Sequence, residues 1–158
     1  AKTALDEGLS NVAFLRTKID KVAEYFAQDE VSEIWITFPD PQLRFSKMKK
    51  RLTHPRFLRL YKQFLKDGGT VNLKTDSPDL YSFTKAVINL YQIDLLIDYD
   101  NVYNEPDLNK ELQIKTHYEG LDIAQSNRIH YLQFRLNNEL PLQKDAELKN
   151  IFSEQQPG

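Results

Sequence analysis

Residues 33–58 read EIWITFPDPQLRFSKMKKRLTHPRFL, and the first nine of them decide the fold. Glu33–Phe38 is a short, largely apolar, β-branched and aromatic run of the kind found in a strand buried on both faces. Pro39 and Pro41 stop it, because proline cannot continue a central ladder. Asp40 sits between them at the strand's carboxyl end. A basic stretch follows at once, with Arg44, Lys47, Lys49, Lys50, Arg51, Arg56 and Arg59. An acid and a cluster of bases placed so close together suit two parts of one task.

Working outward, the same grammar recurs. Residues 1–7 read as a short helix stopped at Gly8, and Asn11–Leu15 (NVAFL) as a first buried strand. Residues 20–28 read as an amphipathic helix. After Thr53-His54-Pro55, the stripe Phe57, Leu58, Tyr61, Phe64 and Leu65 predicts a helix ended by Gly68-Gly69. Residues 70–75 (TVNLKT) predict a third strand, and Asp76-Ser77-Pro78 caps a helix over 78–91. Residues 93–103 and 128–136 predict two more strands, and residues 145–152 a short helix. Strands alternating with helices imply an α/β fold with a mostly parallel sheet. In such sheets ligands bind outside the carboxyl ends of the strands. Asp40 and Asp76 both fall there.

The chain has 158 residues, 41% hydrophobic and 28% charged, with a net charge of -2. That balance fits one globular domain and excludes a general polyanion binder, so any nucleic-acid contact must come from a local patch. With no cysteine, disulfides and thiolate metal sites are excluded, which suits a reducing, cytoplasmic compartment. His54, His117 and His130 show no metal-ligand spacing. No apolar run is long enough to span a bilayer, and no signal-peptide pattern opens the chain. The reading therefore expects neither metal nor membrane partner.

Each motif admits a plainer reading. Asp40 can be an aspartate in a proline-fixed turn, or a carboxylate held ready at a ligand crevice. Asp76 can be a helix cap or a binding acid. The basic run can be a solvated face or a phosphate patch, formed by Lys47, Lys49, Lys50 and Arg51. Residues 116–119 (THYE) say little by themselves.

Together, NVAFL, IWITFPDP, KRLTHPRFL, DGGTVNLKTDS and THYE resemble the tRNA (guanine-N(7)-)-methyltransferase family, from about residue 1 to residue 136. The resemblance implies a Rossmann-like fold, S-adenosylmethionine as cofactor, and methyl transfer to a guanine in the variable loop of tRNA. It implies that Asp40 is catalytic and borders the cofactor. It matches Arg44 to a substrate-contacting lysine and Asp76 to a substrate-binding acid. Thr116, His117, Tyr118 and Glu119 match a segment that binds the target nucleoside. Lys18 stands where the family often has an acid against the cofactor's adenine, with Asp20 nearby. Gln42, Leu43, Arg44 and Phe45 replace the usual tryptophan, proline and lysine after the PDP motif, and His117 replaces a lysine or arginine.

The family's opening strand, glycine turn and ribose-binding acid have no counterpart here. The fold expected is thus incomplete at its amino-terminal side. Residues 1–140 would form the carboxyl-terminal portion of one methyltransferase domain, and 141–158 a short helix and flexible tail. Such a chain should leave the Glu33–Phe38 edge open or covered by another chain, displace NVAFL, or show a gap. Alone it should bind S-adenosylmethionine poorly. The alternatives are a noncatalytic RNA-binding module and a methyltransferase acting on another substrate.

Overall fold

The computed structural model describes residues 1–115, 119 and 127–154. Thr116, His117 and Tyr118 lie outside the described residues. The elements run in the order α1 (Lys2–Asp6), β1 (Val31–Thr37), α2 (Pro55–Lys62), β2 (Leu65–Thr75), α3 (Pro78–Leu90), β3 (Asp94–Tyr99), α4 (Lys110–Gln113), β4 (His130–Arg135) and α5 (Lys144–Ser153), with short 3-10 turns between some of them.

The four strands form one sheet in the order β1-β2-β4-β3. β1 and β2 are parallel, and β4 is antiparallel to both of its neighbours. β1, β2 and β3 therefore share one direction, and their carboxyl ends meet the amino end of β4 along one border. The expectation of a mostly parallel sheet is corrected in this respect. Between β3 and β4 the described helices are a three-residue 3-10 turn, Val102–Asn104, and the four-residue α4, too short to carry the chain across the sheet for a parallel return.

Strand periodicity divides the core into two. Ile36 of β1, Val71 and Leu73 of β2, and Leu132 and Phe134 of β4 face the helices, where Leu58, Phe83, Val87 and Leu148 complete the main cluster. The intervening residues face the other side. There Tyr131 packs with Val102, Leu112 and Ile129, flanked by Trp35 and Phe38. Tyr131 also donates to Asn72 Oδ1 at 2.6 Å, which ties β4 to β2 on this face.

Three local expectations are corrected. Asn11–Leu15 is not a strand: it has no strand assignment, and Val12, Phe14 and Leu15 are exposed. No strand pairs with the outer edge of β1 among the described residues. An open β1 edge is one of the three alternatives expected of this chain. Residues 20–28 form only a 3-10 turn, Ile19–Glu24, whose Ile19, Val22 and Ala23 rest against the core. Gly68-Gly69 does not end α2, which stops at Lys62. The two glycines lie inside β2, where the register jumps from Val31↔Leu65 to Glu33↔Thr70. Gly68 has φ +74°, and a Cβ on Gly69 would lie 2.8 Å from the Leu65 side chain. The bulge, rather than a helix stop, is what demands glycine there.

The carboxyl-terminal helix is part of the body. Leu148 is fully buried and Phe152 packs on Phe83 at 5.2 Å. Arg59 clasps the helix start through Leu140 O, Pro141 O and both carboxylate oxygens of Asp145. Tyr91 donates to the same carboxylate.

Candidate active site

β1 runs out opposite β2, with Thr37 paired to Lys74. The ladder then gains one more bond, Phe38 N–H to Lys74 O at 2.8 Å. Pro39 and Asp40 consequently emerge beside Thr75 and Asp76. Phe38 and Gln42, on either side of the Pro-Asp-Pro turn, have φ +49°. Left-handed backbone is unfavourable for a bulky residue such as phenylalanine, costing about 1–3 kcal/mol, and persists only where the surroundings enforce it.

Those surroundings are identifiable. Asp40 Oδ1 accepts from Gln42 N–H at 3.0 Å, closing the turn on itself. Arg51 reaches back from the end of the basic segment, giving Nε to Gln42 O at 3.2 Å and Nη2 to Leu43 O at 3.4 Å. Its guanidinium lies 4.6 Å from the centre of the Phe83 ring. Arg51 is buried, and burial lowers its pKa, with Asp79 opposing. The turn is thus fixed by the β1–β2 ladder at one end and by Arg51 at the other. Asp40 itself stays exposed between them.

The remaining basic residues divide differently. Arg44, Lys49 and Lys50 are exposed, and Lys47 is half-buried, on the 3-10 turn Phe45–Lys50 anchored by buried Met48. Arg56 pairs with Asp20 at 2.9 Å, and Arg59 belongs to the α5 clasp. The sequence run is therefore a cationic face of Arg44, Lys47, Lys49 and Lys50, backed by an arginine that braces the loop.

Asp76 follows β2 directly. The cap of α3 is Ser77, whose Oγ accepts from Leu80 N–H at 3.2 Å, while Ser77 N–H donates to Thr75 Oγ1. The capping role that Asp76 could have filled is taken by its neighbour. At the same sheet border His130, paired with Thr75 in the ladder, is buried against Tyr81 with ring centroids 4.2 Å apart. Its Nδ1 is 3.6 Å from Asp100, which itself pairs with Arg128 at 3.0 Å. Burial lowers the His130 pKa, and Asp100 acts against that.

Lys74 is the group that the sequence reading missed. Its ammonium lies 2.8 Å from Glu119 Oε1, with the two side chains 3% and 4% exposed. It also donates to Ile114 O at 2.9 Å and Leu112 O at 3.3 Å, and stands 6.0 Å from the Phe38 ring centre. One lysine thereby joins the end of β2, the Phe38 turn and Glu119. Polar residues are common along β2, with Thr70, Asn72 and Thr75 beside it, so nothing in the strand's pattern singled Lys74 out. Lys18 is exposed and precedes the 3-10 turn that carries Ile19. Ile19 lines an open, mostly apolar groove of about 470 Å³ along β1, with Trp35, Thr37 and Pro39 at its far side.

Acids at the carboxyl ends of co-directional strands, a fixed Pro-Asp-Pro turn and an adjacent cationic face place the chain in the Rossmann-like methyltransferase class. Residues 1–132 match the family model described as "Putative methyltransferase", and the chain belongs to that family. It is 47% identical over 137 residues to a tRNA (guanine-N(7)-)-methyltransferase of Porphyromonas gingivalis, covering 86% of this chain and 55% of that protein. Proteins of the same name from Christiangramia forsetii and Bacteroides thetaiotaomicron are 42% and 41% identical, over 86% and 94% of this chain. The chain spans 61% and 59% of those two relatives, and so somewhat over half of each protein compared. Among the described residues no helix is long and apolar enough to cross a membrane, and no group of side chains could hold a metal ion.

Proposed function

We propose that the full-length protein transfers a methyl group from S-adenosylmethionine to N7 of a guanine in the variable loop of tRNA, in the cytoplasm. The observation that carries this reading is Asp40, exposed at the end of β1 on a turn held from both sides. The relatives' shared name supports the choice of substrate.

Guanine N7 has an in-plane lone pair and needs no proton removed before it attacks. The protein's task is mainly alignment, which can supply roughly 7–11 kcal/mol at best. When bound, S-adenosylmethionine supplies a methyl group on a cationic sulfur, which leaves with the electron pair of the broken S–C bond. The end of the groove at the carboxyl end of β1, at Thr37 and Pro39, would form one wall of a site for it. Asp40 and Lys18, next in sequence to Pro39 and Ile19 of its lining, are the residues of this chain that would border it; among the described residues no glycine lines the groove. Asp40 stabilises the positive charge that grows on the purine. Asp76 and Glu119 accept hydrogen bonds from the guanine N1–H and 2-amino group, alongside Thr116, His117 and Tyr118. Arg44, Lys47, Lys49 and Lys50 take the surrounding phosphates, while Arg51 keeps the Asp40 turn in place.

Labelled methyl transfer to tRNA, followed by digestion to nucleosides, tests the reading. The label is expected in N7-methylguanosine. Label in another nucleoside, or none in tRNA, overturns it.

A further inference from the structure

We propose that Lys74 is a positioning residue that acts through Glu119, a role that rests on the guanine-binding reading of Glu119. Two donors converge on one oxygen: Lys74 Nζ and Tyr103 O–H each lie 2.8 Å from Glu119 Oε1. Two bonds to the same oxygen fix both the place and the plane of the carboxylate. A carboxylate so fixed can meet an N–H group of a guanine edge without first losing side-chain freedom.

The lysine is itself anchored. It lies on β2, between β1 and β4, paired to Thr37 on one side and Tyr131 on the other. Its ammonium also donates to the carbonyls of Leu112 and Ile114, at the end of α4. Lys74 lies on an inner strand of the sheet, whereas Glu119 lies on the connection between α4 and β4. Lys74 transmits the position of the sheet to that connection. Because Phe38 N–H bonds to Lys74 O, the same residue also sets where the Asp40 turn begins. The acid facing the reacting nitrogen and the acid facing the guanine edge are thereby referred to one point on β2.

The charge balance supports this over packing alone. An ammonium buried this deeply is costly without a carboxylate, and a neutral side chain would fill the same space at less cost. Strand β2 carries that cost two residues before Asp76. The pair secures placement at some expense of stability, and placement is what an aligning enzyme requires.

The test uses full-length proteins carrying Lys74→Gln, Lys74→Arg, Glu119→Gln, and each Lys74 change combined with Glu119→Gln. In the wild-type background Lys74→Gln is expected to lower kcat/KM for tRNA about tenfold or more, with S-adenosylmethionine affinity nearly unchanged. In the Glu119→Gln background it should cost about twofold or less, since the residue through which it acts is already altered. Lys74→Arg, which keeps the charge and folds more readily, should show the same dependence on background with smaller losses. Equal losses in both backgrounds overturn the proposal. Amide exchange provides the readout that does not depend on substrate. Lys74→Gln and, more weakly, Lys74→Arg should speed exchange at Leu112–Ile114 and Glu119 while leaving α3 unaffected. Unchanged exchange there overturns the anchoring even if the enzyme methylates another nucleotide. A wild-type protein inactive on tRNA, with the exchange effect present, faults the substrate reading and leaves the anchoring in place.

Discussion

Lys74 Nζ and Glu119 Oε1 stand 2.8 Å apart with both side chains almost wholly buried, at the one border of the sheet where three strands end together. A buried pair of this kind is weak support for stability, because desolvating two charges offsets most of their attraction. Removing one partner is different, since it strands the other charge in the interior. The pair therefore marks a place where the fold holds separate segments in a fixed relation rather than one where it gains much energy. The Asp40 turn, the end of β2 and Glu119 are the three segments so related.

Asp40→Ala in the full-length protein should reduce kcat for methyl transfer by about 100-fold, the loss usual for a group that stabilises developing charge. The tRNA dissociation constant should change by less than about threefold, because phosphates supply most of the binding. Filter binding beside single-turnover kinetics separates the two. Equal loss of both would place Asp40 in general tRNA binding.

Neutralising Lys47, Lys49 and Lys50 together should weaken tRNA binding and flatten its dependence on salt, by about one unit of log–log slope for each phosphate left without its lysine. Arg51→Met should act otherwise. Its donors already serve Gln42 O and Leu43 O, so the salt slope should hold while kcat and thermal stability fall. A slope change from Arg51→Met equal to that of one lysine contradicts the bracing role.

Asp145→Asn should destabilise the fold by about 1.5–3 kcal/mol, because it weakens charge-assisted bonds from Arg59 and the bond from Tyr91. Burial works to raise the Asp145 pKa, but hydrogen bonds from Arg59 and Tyr91 outweigh it and hold the carboxyl below its ordinary range. The stability it contributes is present above the unfolded carboxyl pKa and is lost as pH falls through the depressed folded value. Denaturant melts of both proteins across the acid range should converge at low pH.

His54 titrates in the opposite sense. Its Nδ1 accepts from Arg56 N–H at 3.1 Å and caps α2, and burial pushes its pKa down to about 4 from 6.5. The unfolded chain binds this proton more readily, so stability should rise with pH between about 4 and 6.5 and gain nothing further above that. His54→Asn keeps a capping oxygen and removes the titration. Its melting temperature should fall less than that of the wild type as pH is lowered from 6.5 to 5.

Much of this fold is legible in the sequence. The strands at 33–38, 70–75 and 128–136 carry period-two or continuous apolar patterns, and all three lie in the sheet. The cap at Ser77 and the placement of Asp40 and Asp76 at strand ends follow from proline positions. What escaped depended on distant partners. Asn11–Leu15 has strand composition, yet composition cannot supply a sheet edge to receive it. Gly68-Gly69 reads as a helix stop until the β1 register shows a bulge. Arg51 looks like one base among seven, because only Phe83 and the Gln42–Leu43 carbonyls reveal that it points inward. Lys74 reads as an ordinary polar residue in a strand until Glu119 is found beside it, 45 positions away in sequence. Thr116, His117 and Tyr118 lie outside the described residues, so their placement at the site belongs to the proposal.

The most direct measurement compares methyl transfer by the full-length protein to two tRNAs that differ in one atom. One carries guanine at the target position in the variable loop, and the other carries 7-deazaguanine, in which carbon replaces N7. Transfer to the first and none to the second, with similar binding of both, is the result this account predicts. Comparable labelling of both tRNAs would contradict it, because the methyl group would then be going to an atom other than N7.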